Sequence, residues 1–372
     1  MLTPPTTRWQ RCLVMTVNRR RFLGAAGASL VVPQLASCGG YEKVPAAGVP
    51  VSRFNEDSTA EEVTEGLDLK GKLAVVTGCT TGIGFETMRV LAKRGAYVVG
   101  TSRSLKRAEE ACRKVIGITT PVELDLGDFD SVARCADYIR ILRSPIDMLI
   151  CNAGYRGGGN ERQLINGVEK HFVINHLGHF ILINRLMERL YLSWQGRIVT
   201  VSSRTAYRDA PDEGILFDDP GMAREYSDAL AYGHSKLANA LLSLQLAELL
   251  RGTRITSNAL HPGVINTDLD RNLNPVSRFA WGLYANVAGK TVEQGAATTC
   301  YVATNEQLGN ISGRFFEDCN AFTIEGQGHM QNLGMAGRLL QMSIELTADW
   351  LIEFKEPKKE DFEFGNRSKK SE

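Results

Sequence analysis

In the stretch AYGHSKLANA, Ala231 to Ala240, a tyrosine and a lysine stand four residues apart. The text that follows, LLSLQLAELL, places Leu241, Leu242, Leu244, Leu246, Leu249 and Leu250 at helical spacing. On a helix, residues i and i+4 lie one above the other on the same face, so Tyr232 and Lys236 point the same way. A free phenol ionises near pH 10 and a free ammonium near about 10.4, so neither moves protons well at neutrality alone. Side by side, the ammonium favours the phenolate and the tyrosine becomes a usable proton donor and acceptor. A surface tyrosine beside a snorkelling lysine has the same spelling, so the remaining chain must supply the context.

That context begins at KLAVVTGCTTGIGFETMRVLAKRGAYVVGTSRS, which opens at Lys72. Leu73 to Val76 reads as a strand buried on both faces, Phe85 to Arg94 as a helix, and Tyr97 to Gly100 as a second strand. Between strand and helix stand Gly78, Gly82 and Gly84, with Thr80 and Ile83 among them. Glycines at that place let the backbone approach a pyrophosphate resting on the helix N-terminus. A glycine triplet alone is weak evidence, but here a strand precedes it and a helix follows it.

The second strand ends in Thr101, Ser102 and Arg103, with no acidic residue to bond ribose hydroxyls. Arg103, with Lys106 and Arg107 a turn later, suits the 2′-phosphate of NADP(H) over NAD(H). An ordinary solvated basic helix start is the other reading. Asp125 and Leu126 close the third strand, where a carboxylate could meet the adenine amino group. Met148 to Cys151 form a fourth buried strand, followed by Asn152, Ala153 and Gly154, which are small enough to let a cofactor come close. Asn152 could equally bond neighbouring strands. The architecture expected is α/β: one doubly wound parallel sheet of the Rossmann kind.

Taken together, TGCTTGIG (Thr77 to Gly84), NAG (Asn152 to Gly154), INHLGHF (Ile174 to Phe180), RIVTVSS (Arg197 to Ser203), YGHSK (Tyr232 to Lys236) and HPG (His261 to Gly263) resemble the short-chain dehydrogenase/reductase family. They occur in the family's order over Lys70 to about Gly313. The long Ser203–Tyr232 interval and the ending AGRLLQMSIELTADWL resemble its retinol dehydrogenase and WW-domain oxidoreductase branch, with protochlorophyllide reductases as close relatives. The resemblance implies an NAD(P)-dependent oxidoreductase in which Tyr232 exchanges a proton with the substrate oxygen. It implies that Lys236 bonds the nicotinamide ribose and that Ser203, with Ser202 as competitor, holds the substrate carbonyl. It further implies that Asn175 orders a water linking Lys236 to solvent, and that Thr267 and the backbone of Val264 contact the carboxamide. The implied substrate is a hydrophobic alcohol or carbonyl compound. Two alternatives stay open: a non-catalytic nucleotide sensor or scaffold of the same fold, and a light-dependent tetrapyrrole reductase.

Other features bound the reading. Lys and Arg number 43 against 42 Asp and Glu, a net charge of +1 that gives no footing for nucleic acid. Eight scattered cysteines form no C-x-x-C or Cys/His cluster. His171, His176, His179 and His234 lack a carboxylate or cysteine to complete a ligand set, so polar filling of the core is expected and no metal. Phe279, Trp281, Leu283 and Tyr284 give the segment after HPG an apolar, aromatic character that suits a hydrophobic substrate, a packed surface helix or a membrane face. Arg19-Arg20-Arg21-Phe22-Leu23, followed by an apolar run to Ala36, reads as a twin-arginine-like export signal. LASC, Leu35 to Cys38, matches a lipoprotein box with Cys38 as a lipidated residue and route to membrane association. A fortuitous leader or an uncut anchor on a cytoplasmic, membrane-associated protein is the alternative. The domain plan is therefore a leader over 1–38, a linker over 39–66, one catalytic domain over 67–353 and a charged tail over 354–372. Oligomeric state is left open.

Overall fold

The computed structural model describes residues 42–157, 161–265, 289–325 and 328–353. The leader with Cys38, Thr267, the aromatic segment holding Phe279, Trp281, Leu283 and Tyr284, and the charged tail lie outside the described residues. The chain enters as β1 (Glu42–Pro45) and α1 (Ala60–Val63), then alternates: β2 (Leu73–Thr77), α2 (Gly82–Lys93), β3 (Tyr97–Ser102), α3 (Leu105–Cys112), β4 (Ile118–Glu123), α4 (Phe129–Ile141) and β5 (Met148–Cys151). A small hairpin, β6 (Leu164–Ile165) and β7 (Val168–Glu169), leads to α5 (Lys170–Phe172), a π-helical turn (Val173–Leu177) and α6 (Gly178–Tyr191). The second half runs β8 (Gly196–Val201), α7 (Thr205–Arg208), α8 (Asp228–Leu249), β9 (Ile255–His261), α9 (Val292–Thr304), β10 (Phe315–Glu317), β11 (Asn320–Glu325) and α10 (Leu333–Thr347).

Among the described residues the main sheet has the order β1-β11-β10-β9-β8-β5-β2-β3-β4. The seven strands from β10 to β4 are mutually parallel. β11 and β1 add antiparallel at one side. The chain winds outward through β3 and β4, then returns to place β5 on the other side of β2. The order thus reverses between β2 and β5, and open sheets of this kind bind ligands at the carboxyl ends of the strands flanking that point.

Period-two alternation feeds two cores. Leu73 and Val75 of β2 face the layer that includes α4, α6 and α8, while Ala74 and Val76 face the layer that includes α2 and α9. Burial on both faces explains why these strands spell continuous apolar runs. Helix α8 is buried on nearly every side, its Ala and Leu residues falling on several faces. Its start is set by Ser227, whose side chain accepts from the Leu230 N–H. Gly233 lets it lie against the end of α7, because a Cβ there would sit 2.4 Å from the Asp209 carbonyl oxygen. No helix among the described residues is long and apolar enough to cross a membrane.

Three boundaries differ from the sequence reading. Helix α2 begins at Gly82, not Phe85, and β3 continues to Ser102. Asp125 stands two residues beyond β4, in the following loop. The larger difference is residues 42–66, expected as linker. β1 pairs with β11 in the register Glu42↔Glu325 to Pro45↔Phe322, and Ala46, Ala60 and Val63 are buried. Polar and Pro/Gly-bearing text still forms structure when a distant edge strand offers unpaired backbone groups.

The starts of β2 and β8 are tied together by one carboxylate. Buried Asp147 accepts from the Leu73 N–H at 2.9 Å, from Ser193 Oγ at 2.7 Å and from Lys72 Nζ at 3.2 Å. Removing it strands two buried donors, each costing about 1–3 kcal/mol. Asp147→Ala is expected to lower the unfolding free energy by about 3 kcal/mol, and Asp147→Asn by about 1 kcal/mol, since one acceptor oxygen survives. Urea unfolding followed by circular dichroism measures both.

Candidate active site

A cavity of about 490 Å³ opens at the carboxyl ends of β2, β3 and β5, at the reversal point. Gly78 makes the turn out of β2 with φ +71°, and a Cβ on it would stand 3.0 Å from Ala153. At Gly84 a Cβ would stand 2.1 Å from the Gly78 carbonyl oxygen, so α2 packs onto the turn only as glycine. The cap residue of α2, Thr81, makes no side-chain bond to the first turn, and Gly82, Ile83 and Gly84 line the cavity. The free N–H groups of such a helix start suit a pyrophosphate resting there. Volume, glycine turn and uncapped helix fit a dinucleotide.

At the adenosine end, the wall carries Ser102, Arg103, Ser104 and Arg107, with Thr80, Asp125 and Leu126 nearby around the rim. Arg103 is exposed. Asp125 Oδ1 accepts from the Gly127 N–H at 2.9 Å.

Asn152, Ala153 and Gly154 line the middle of the cavity. Asn152 also ties strands together: its Nδ2 donates to the Thr77 carbonyl at 2.8 Å. Thr77 Oγ1 accepts from the Asn152 and Ala153 N–H groups, both at 2.9 Å, and meets His179 Nε2 at 3.0 Å. His179 Nδ1 in turn meets the Asn175 carbonyl at 3.0 Å. Burial pushes His179 down to about 4, so it works here as a neutral spacer. The side chain of Asn175 is saturated. Its oxygen accepts from the Tyr155 N–H at 2.7 Å, and its Nδ2 donates to the Tyr155 carbonyl at 3.0 Å and to Ser235 Oγ at 2.9 Å. Asn175 sits in the π-helical turn, an irregularity that recurs at functional sites.

Tyr232 and Lys236 both line the cavity from α8, and both are buried. The Lys236 Nζ lies 5.5 Å from the Tyr232 ring centroid and donates to the Val201 carbonyl at 3.0 Å. Burial pulls this ammonium down to about 8. Ser202 Oγ donates to the Lys236 carbonyl at 2.7 Å, whereas Ser203 Oγ accepts from the Thr205 N–H at 3.3 Å. Ser202 lines the cavity; Ser203, Asn175 and Val264 are not among its lining residues. The Val264 carbonyl accepts from the Lys290 N–H at 2.7 Å.

Of the other histidines singled out from the sequence, His176, His234 and His171 have protein partners. His176 Nε2 meets Ser343 Oγ at 2.7 Å, and His234 Nε2 accepts from the Leu216 N–H at 3.1 Å. His171 Nδ1 meets the buried Glu169 carboxylate at 2.7 Å. Sequence reasoning missed Tyr155, Arg156, Ile174 and Pro262 on the cavity wall. The available signals were that Tyr155 and Arg156 follow NAG directly and that Ile174 and Pro262 stand inside the INHLGHF and HPG motifs.

The short chain dehydrogenase family pattern matches residues 72–213. A relative from Brassica napus, short-chain dehydrogenase TIC 32 A, chloroplastic, is 38% identical over 291 residues, covering 73% of this chain and 88% of the relative. Retinol dehydrogenase 12 from Mus musculus is 36% identical over 288 residues, covering 76% and 88%. WW domain-containing oxidoreductase from Gallus gallus is 34% identical over 294 residues, covering 75% and 69%. A crystal structure of an uncharacterized protein from Mycobacterium Paratuberculosis superposes with a TM-score of 0.61 at 31% identity, covering 77% of this chain and 97% of that one. Likeness of this extent, carried by a chain whose switch-point cavity fits a dinucleotide, means that the protein belongs to the short-chain dehydrogenase/reductase family of nicotinamide-dependent oxidoreductases.

Proposed function

We propose that the protein is an NADP-dependent oxidoreductase that interconverts a hydrophobic alcohol and its carbonyl compound, with Tyr232 as proton carrier. The observation that carries this reading is the buried Lys236 ammonium, 5.5 Å from the Tyr232 ring at the wall of the dinucleotide cavity. A bound nicotinamide supplies or accepts the hydride. The protein supplies placement and a proton. Tyr232 Oη gives its proton to the carbonyl oxygen in reduction and takes it back in oxidation. Lys236 spends one N–H on Val201 and keeps two for a ribose hydroxyl and for the electrostatic support of the phenolate. Ser202 lines the cavity but spends its proton on the Lys236 carbonyl; Ser203, outside the cavity lining, keeps its proton and is the serine we assign to the substrate oxygen. Asn175, its side chain taken, contributes through its main-chain carbonyl and by fixing Tyr155. Support for a hydrophobic substrate comes from the relatives named retinol dehydrogenase.

Three outcomes are expected. With NADPH and a panel of aldehydes that includes all-trans-retinal, Tyr232→Phe should lower kcat by about a thousandfold while cofactor affinity stays within about twofold. Unchanged turnover in that variant would remove Tyr232 from the proton path. Carbonyl reduction should also fall as pH rises through about 8, because the charged form of Lys236 is the low-pH form. A pH profile of kcat/KM that stays flat past that point would contradict it. Arg103→Ala should weaken NADPH binding about tenfold or more and leave NADH binding unchanged, as read by fluorescence titration. Equal losses for both cofactors would rule out the 2′-phosphate contact.

A further inference from the structure

The wall beside Tyr232 carries a second cation. Arg156 stands two residues after Gly154, in the loop leaving β5, and lines the cavity. Its guanidinium carbon lies 5.3 Å from the Tyr232 ring centroid, against 5.5 Å for Lys236 Nζ. Both distances are within the reach of a cation–π contact. The loop is held where it is by the neighbouring residue: Tyr155 exchanges both backbone bonds with the Asn175 side chain.

We propose that Arg156 is a positioning residue that works with Lys236 to hold Tyr232 in the charge state the reaction needs. The proposal rests on Tyr232 being the proton carrier. The surroundings show why one cation would be a thin supply. Tyr232 and its neighbours meet charges from several elements: Lys236 and Asp228 on α8 itself, Glu169 and His171 at α5, Asp209 at the end of α7, and Arg156 after β5. Carboxylates oppose a phenolate here. The adjoining Tyr155 phenol is pushed up first by burial, then by Asp228 and Glu169. His171, whose ring centroid is 6.3 Å from that of Tyr232, is itself engaged, by the Glu169 carboxylate at 2.7 Å and by the Gly157 N–H at 3.3 Å. Asp209 is pushed up by burial and held back by Arg208 and Arg156, so Arg156 already acts on the charge of this corner. The support from Lys236 fades above about pH 8. A guanidinium keeps its charge through that range.

The test is a titration that needs no substrate. The ultraviolet phenolate band is followed against pH in wild type and Tyr232→Phe, and again with Arg156→Gln in both backgrounds. Each difference isolates the ionisation of Tyr232. The midpoint is expected to rise by about one pH unit in Arg156→Gln and to stay within about 0.3 units of wild type in Arg156→Lys. Arg156→Met, which keeps the aliphatic stem, repeats the measurement if the glutamine variant unfolds. A midpoint that stays put or falls when the charge is removed overturns the proposal. Turnover by Tyr232→Phe at the wild-type rate would instead overturn the proton-carrier reading, so the two failures are distinguishable.

Discussion

The chemistry proposed for this molecule depends on keeping one ammonium inside the protein. Lys236 is fully buried, and taking such a group from water is expensive enough to pull it down to about 8. The fold offsets that cost locally. The Val201 carbonyl at the end of β8 accepts from Nζ, and Ser202 fixes the main chain one residue further on by bonding the Lys236 carbonyl. Strand end and helix are thus clasped at the residue whose charge matters. A lysine on an exposed face would cost nothing and would also do little, since water screens an exposed pair.

Around that clasp, the remaining architecture opens the cavity at the carboxyl ends of the strands. The reversal of strand order between β2 and β5 opens the cavity, and close glycine packing at Gly84 sets the first turn of α2 against it. From Thr77 a chain of neutral hydrogen bonds passes through His179 and Asn175 to Tyr155. It fixes the glycine turn, the π-helical turn and the loop after β5 relative to one another. Burial keeps its histidine neutral, so the chain holds its form across the pH range in which enzymes work.

The parts legible in the sequence were those written by local rules. Tyr232 and Lys236 share a face because i and i+4 must, and the glycine spacing between a strand and a helix needs no distant partner to be read. Three things were not legible. Which of Ser202 and Ser203 meets the Lys236 carbonyl is set by a contact across the fold, which no spacing reveals. Asn175 reads as a site residue, yet its side chain is spent on Tyr155 and Ser235, the latter sixty positions away. Residues 42–66 read as linker because their partners, such as Glu325 for Glu42, stand at the opposite end of the chain.

That N-terminal strand also limits how the chain can be processed. β1 occupies the backbone groups of β11, and its Lys43 pairs with Glu317, which Arg204 engages from the other side. A peptidase cutting ahead of Cys38 leaves this arrangement whole. Cleavage after Pro45 would bare the backbone edge of the six-residue β11 and strip one cation from the buried Glu317. The sheet edge thus depends on four residues that do not line the cavity.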